Sequence, residues 1–190
     1  MKIYIKATVS DISSEPLESR QDIAIDPDTS VEVLEQLATD PDDAVRLCIL
    51  VNPNTPQAIV DSILDSGDQN FLEKVASCVS IDSDILNKLA LHDQARIRSY
   101  VAWNSNTSPE TLAMLANDKN AGVVREVASN RNTPEATLAN LFETTHESGI
   151  LYRIASNPGT SRQVLQKLGV NPDKEIADAA RFTLNWRPYQ

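Results

Sequence analysis

The stretch Val127-Ala128-Ser129-Asn130-Arg131-Asn132-Thr133-Pro134-Glu135-Ala136-Thr137-Leu138-Ala139-Asn140-Leu141 decides the fold, because versions of it recur along the chain. Upstream, the opening four residues return as Val101-Ala102-Trp103-Asn104, Val75-Ala76-Ser77-Cys78 and Ile49-Leu50-Val51-Asn52. Downstream they return as Ile154-Ala155-Ser156-Asn157. From the first copy to the last the spacings are 26, 26, 26 and 27 residues, and Asp26 marks a weaker copy 26 residues before Asn52. A fixed period between 20 and 50 residues is the signature of a solenoid, in which each unit buries its apolar face only against its neighbours.

Each period reads as two short helices. In the first, Leu34, Val60, Leu86, Leu112, Leu138 and Leu165 form one column, and Leu37, Ile63, Leu89, Leu115, Leu141 and Leu168 form another three residues later. Positions three apart share a helix face, so the two columns predict a continuous core. Ser30, Thr55, Asp82, Ser108 and Thr133 precede these helices as candidate N-caps, with Thr160 or Ser161 in the last copy. The second helix follows an acidic or polar break such as Asp40-Pro41-Asp42-Asp43 and ends on the Val-Ala column. At about eight residues it can be α or 3-10. Its alanines, Ala76, Ala102, Ala128 and Ala155, predict close approach of neighbouring helices.

This pattern resembles the variant leucine-rich repeat family, in its Val-Ala-Ser-Asn end, Asn-x-Asn-Thr-Pro turn, Leu-x-x-Leu helix, Asp-rich break and Val-Arg start. The resemblance covers residues 24 to 181. It implies a right-handed superhelix of alternating α and 3-10 helices with an unassigned or protein-binding role. The Asp to Val-Arg segment is also similar to HEAT-type repeats. One type of member carries an iron–sulfur cluster in a cysteine-rich N-terminal segment; residues 1 to 25 here hold no cysteine, so no cofactor is expected. The expected fold is therefore all-α, a right-handed α/α (α/3-10) superhelical solenoid of about six 26-residue repeats over residues 23–181.

The two ends depart from the repeat. Residues 1–22 read as an N-terminal extended segment and linker. Ile3, Ile5, Ala7 and Val9 alternate with Lys2, Tyr4, Lys6 and Thr8 as in a strand. Such a strand would either pair with a second chain or lie over the first repeat. Residues 10–21 are polar, contain Pro16 and read as a mobile linker. Residues 182–190 read as a C-terminal cap, with Phe182, Leu184 and Trp186 closing the last core edge.

Composition narrows the function. The 190 residues carry a net charge of −10, against the concentrated basic surface that nucleic-acid binders present. A HEAT-like enzyme resembling alkylpurine DNA glycosylases would need a basic cleft, so that reading is disfavoured. Cys48 and Cys78 are too few for a disulfide scaffold, and neither shares a zinc spacing with His92 or His146. The acidic clusters at Asp26 and Asp28, and at Asp40, Asp42 and Asp43, lack the glycine turn and oxygen count of a calcium loop. No phosphate-binding glycine loop or nucleophile elbow is present, so no catalytic, cofactor or metal residues are assigned. The sequence has no long apolar run to span a membrane and no secretory signal pattern at its start, so a cytoplasmic location is expected.

The Asn column invites comparison with a ligand ladder, but an Asn at a helix end more readily satisfies the turn's own backbone groups. Arg46, Arg98 and Arg125 each follow an acidic break and are read as ion-paired within their own repeats. Two features point outward. Residues 26–51 carry seven acids and one base, whereas residues 157–190 carry three acids and five bases, a gradient that suits partner steering or head-to-tail self-contact. Tyr100 and Trp103 stand in columns otherwise filled by residues of varied polarity, and form the candidate partner-binding patch. The expected function is a non-catalytic protein-interaction scaffold with a protein partner, and the alternative is a self-assembling homo-oligomer.

Overall fold

The computed structural model describes residues 12–186. Among them are thirteen α-helices, one 3-10 turn (Ile12–Ser14) and no strand, so the chain is an all-α helical repeat. The alternation expected at residues 1–9 lies outside the described residues. The chain divides into two compact units, Met1–Val75 and Ala76–Gln190.

The first unit holds α1 (Leu17–Ile25), α2 (Val31–Leu37), α3 (Asp43–Val51), α4 (Gln57–Ser66) and most of α5 (Gln69–Ser77). The second holds α6 (Ser83–Leu89), α7 (Ala95–Trp103), α8 (Pro109–Leu115), α9 (Ala121–Ser129), α10 (Glu135–Thr144), α11 (Ser148–Ser156), α12 (Arg162–Leu168) and α13 (Lys174–Trp186). Even-numbered helices carry the two Leu columns, all of whose members are buried. Odd-numbered helices carry the Val-Ala column and stack side by side: α1 on α3 in the first unit, and α7 on α9, α9 on α11 and α11 on α13 in the second. These second helices of the repeats are α throughout, with nine residues in α3, α5, α7, α9 and α11. The 3-10 alternative implied by the family resemblance is not realised.

Three sequence expectations change here. Residues 17–21, read as linker, begin α1, because Pro16 sits just before its first turn, where a missing N–H costs nothing. The helix was hard to read because only Ala24 is buried along it. At the other end α13 runs on through Trp186, but Phe182 and Trp186 face outward, at 70% and 73% exposure. Ile176, Ala177, Ala180 and Thr183 bury the inner face of this helix instead. Thr55 and Thr133 are not N-caps either. Their hydroxyls donate to the carbonyls of Ile49 and Val127, six residues earlier, as do those of Thr29, Thr107 and Thr160 on Ile23, Val101 and Ile154. Each threonine thus satisfies the last turn of the preceding helix. Asp82, Ser108 and Ser161 do cap α6, α8 and α12 with their side chains.

Candidate functional site: the outer face of the second unit

The face is fixed by the turns that join the repeats. In the turns that begin at Asn52, Asn104, Asn130 and Asn157, this first Asn reaches back to the repeat before it. The Asn130 Nδ2 donates to the carbonyls of Ala102 (2.8 Å) and Asn104 (2.9 Å), and its Oδ1 accepts from the N–H of Asn132 (2.9 Å). Asn104 does the same to Ala76 and Cys78, Asn157 to Ala128 and Asn130, and Asn52 to Ala24 and Asp26. In the last repeat the Thr183 hydroxyl takes over, donating to Ala155. The second Asn of the turn adds another link, as Asn132 Nδ2 bonds the Ser105 carbonyl. Both amides are consumed by backbone, so the Asn column offers no ligand ladder. Its effect is to set adjacent odd-numbered helices in a register of 26 or 27 residues.

That register aligns the outward residues into rows. Trp103, Ser129, Ser156 and Phe182 share one row across α7, α9, α11 and α13. Trp103 is 55% exposed and Phe182 stands clear at the far end, while the two serines between them are small and tied down. The Ser129 Oγ donates to the Arg125 carbonyl and the Ser156 Oγ to the Tyr152 carbonyl, both at 2.9 Å. Tyr100, one turn before Trp103, is half-buried, with the Arg96 guanidinium 6.0 Å from its ring centre. The structure therefore brings both sequence-predicted partner residues to one face of α7, with Trp103 the more accessible.

Sequence reasoning missed Tyr152, Phe182 and Trp186, which are exposed on the same side of α11 and α13. Tyr152 and Phe182 had a signal, since the 26- or 27-residue register places them in the columns of Arg125 and Trp103; Trp186 had none, because the same register gives it the column of the buried Thr160. Arg125 does not make the within-repeat ion pair expected of it: Val124 occupies the column of Arg98, and Arg125 lies half-buried beside Gly149. A methyl group at Gly149 would lie 3.3 Å from the Arg125 Nε, so the glycine leaves room for the guanidinium against α11.

Arginines that do pair with acids do so differently from expectation. Arg98 is buried and reaches forward into the next repeat, its Nε 2.6 Å and its Nη2 2.9 Å from the two oxygens of Asp118. Its Nη1 donates to the carbonyls of His92 and Asp93 in its own repeat. The Arg98 hydrogen bond, helped by the Asn120 N–H, holds the Asp118 carboxyl below its usual range, and Asp118 raises the Arg98 guanidinium in turn. Arg20 pairs with Asp40 across the same 20-residue step. Arg46 has no acid at that step; it bonds Asp43 and lies over Phe71, 4.3 Å from the ring centre.

Other candidate chemistry dissolves on inspection of its partners. The acidic clusters are occupied as helix caps and turn acceptors, with Asp26 bonding the Asp28 N–H, Asp40 the Asp42 N–H and Asp42 the Ala44 N–H. Among the described residues no group of three or more His, Cys, Asp or Glu is placed to hold a metal ion. A cleft of about 380 Å³ opens beside His92, Arg98, Asp118 and Lys119. Its buried arginine is saturated by the bonds just described, and the His92 Nδ1 accepts from the Gln94 N–H. No described helix is long and apolar enough to cross a membrane.

No protein-family model matches the chain. No curated protein matches it either. Among solved structures it is similar to an engineered protein from a structural genomics consortium, at 16% identity and a TM-score of 0.34, over 93% of this chain and 98% of that one. A second engineered protein from the same source is 21% identical, at a TM-score of 0.33, over 93% and 86%. A designed armadillo repeat protein is 14% identical, at a TM-score of 0.29, over 93% and 89%.

Proposed function

We propose that this chain is a non-catalytic repeat scaffold that binds a protein partner through the outer face of its second unit, with Tyr100 and Trp103 as anchors. The observation that carries the reading is the exposure of Trp103 in a row whose next two members are serines. An indole left largely in water, on a helix whose backbone is pinned by its neighbours, is the kind of rigid aromatic anchor that dominates protein interfaces. The repeat pattern's resemblance to variant leucine-rich and HEAT-type repeats supports the same role. The polar side chains of the turns and the buried Arg98 are spent on the fold itself, which favours display over catalysis.

A pull-down from native lysate with wild type and the Tyr100→Ala, Trp103→Ala double variant tests the reading. A partner retained only by wild type supports it, provided that both proteins have the same helical signal. Partners held equally by both would sink it.

Self-assembly is the second reading, and the charge distribution is the observation that favours it. Residues 12–75 carry fourteen acids and three bases, whereas residues 76–186 carry twelve acids and eleven bases. A head-to-tail contact built on that difference would be heterologous and screened by salt. Light scattering over a range of concentration and salt separates the two readings: a mass that stays monomeric at low salt rules this one out.

A further inference from the structure

Two arginines belong to the helices between the aromatic ends, Arg125 half-buried and Arg153 exposed. Arg125 on α9 rests against Gly149, and Arg153 on α11 lies 6.0 Å from the ring centre of Tyr152. Among the described residues neither has a carboxylate partner, although Arg20, Arg46, Arg98 and Arg181 all do. An arginine that its own fold leaves unpaired, in a chain with 27 acidic residues, is free to receive an acid from outside. The row beside them is low, because Ser129 and Ser156 fold their hydroxyls back onto their own helices. Trp103 and Phe182 stand at its two ends.

We propose that this face takes an extended acidic peptide segment of the partner, crossing α7, α9, α11 and α13 with its carboxylates on Arg125 and Arg153 and an apolar side chain at each end against Trp103 and Phe182. The proposal rests on the assignment of Trp103 as a partner anchor and adds the partner's chemistry. Three helix-to-helix steps of about 8 to 10 Å separate Trp103 from Phe182, roughly 24 to 30 Å in all. An extended strand rises about 3.3 Å per residue, so the segment is about seven to nine residues long, with its acids in the middle. Nucleic acid fits less well, since its phosphates recur along the whole strand and would meet the acids elsewhere on the chain.

The probe is a random nine-residue peptide library displayed on phage and selected on the full chain, with the winning peptides then titrated as free peptides. The expected winners carry two or more Asp or Glu in the middle and an aromatic or large aliphatic residue near each end. Arg125→Glu with Arg153→Glu should weaken them on the order of tenfold or more, with a loss of salt dependence. Arg125→Gln with Arg153→Gln, which preserves shape and adds no acid, should give a smaller loss. Trp103→Ala should weaken them without changing their salt dependence. Winners without acids, or indifferent to both arginine pairs, would overturn the proposal, and if they still require Trp103 the anchor assignment survives. Winners indifferent to Trp103→Ala as well would overturn both. A selection that yields no binder overturns the peptide proposal alone, and the lysate capture then decides the anchor. A single-stranded oligonucleotide that competes the peptides off at equal charge would replace the acidic peptide with nucleic acid.

Discussion

The side-chain amide of Asn130 bonds the carbonyl of Ala102, 28 residues earlier, at 2.8 Å. A solenoid is usually described as held by its apolar columns, but here the register of those columns is set by a polar group buried between repeats. The apolar faces alone would tolerate a slip, since Leu, Ile and Val recur three and four residues apart. An amide that must meet two carbonyls and one N–H at once does not.

Asn130→Ala should therefore destabilise the chain by about 2 to 4 kcal/mol, because several buried backbone groups lose their partner together. Asn130→Asp should be at least as damaging at neutral pH, since a carboxylate cannot donate to the carbonyls of Ala102 and Asn104. Urea unfolding followed by circular dichroism would show both, and a variant as stable as wild type would return the column to a minor role.

Thr133 gives a sharper test of mechanism. Its hydroxyl is buried and donates to the Val127 carbonyl, so Thr133→Val keeps the shape and leaves that carbonyl with only its bond from the Asn130 N–H, at a cost of about 1 kcal/mol. Thr133→Ser should recover most of the loss. An N-cap role would instead demand a bond to the N–H groups opening α10, whose capping position is Pro134. Ser108, a true cap on α8 with its oxygen accepting from the Thr111 N–H, should cost about 1 kcal/mol when changed to Ala.

The contrast between these two residues marks how far the sequence could be read. Periodicity named both Leu columns and the helix pair, because burial of a helix face leaves a pattern three and four residues apart. It could not by itself say which way a turn hydroxyl points, although the register does separate the two residues: Thr133 stands in the column of Thr107, and Ser108 in that of Pro134 at the capping position. Nor could it see Arg98 reaching Asp118, since a 20-residue separation has no local signature. The outward patch was half legible. Trp103 broke a visible column, whereas Phe182 was hidden by the expectation that an aromatic near a chain end seals the core.

The Arg98 and Asp118 pair predicts the acid behaviour of the second unit. Because the arginine's hydrogen bond depresses the Asp118 carboxyl in the folded chain, its contribution is present above the unfolded carboxyl's titration, at about pH 4. It is lost as pH falls through the lower folded value, since the unfolded state then binds the proton first. Asp118→Ala should leave Arg98 buried and uncompensated, costing about 3 to 5 kcal/mol at neutral pH. Its unfolding free energy should also fall less steeply below pH 4 than that of wild type. Parallel slopes in the two proteins would count against the pair.

Leu115 tests the apolar side of the same repeats. It is 2% exposed in the middle of the second column, and Leu115→Ala should cost about 2 to 5 kcal/mol by removing buried methyl groups and leaving a cavity. If it unfolds at the same urea concentration as wild type, the column does not carry the core.

Trp103 and Trp186 are the chain's only tryptophans, and at 55% and 73% exposure both lie largely in water. Native fluorescence should therefore already show the red-shifted emission of hydrated indole and be quenched strongly by acrylamide, so unfolding should change it little while the helical signal is lost. Trp103→Ala should shift stability by no more than about 0.5 kcal/mol, as for other surface positions. Tyr100→Ala should cost more, because its ring is half-buried and close to the Arg96 guanidinium. A blue-shifted, poorly quenched native spectrum that Trp103→Ala removes would place the indole inside the fold, and the partner-binding assignment of Trp103 would fall with it.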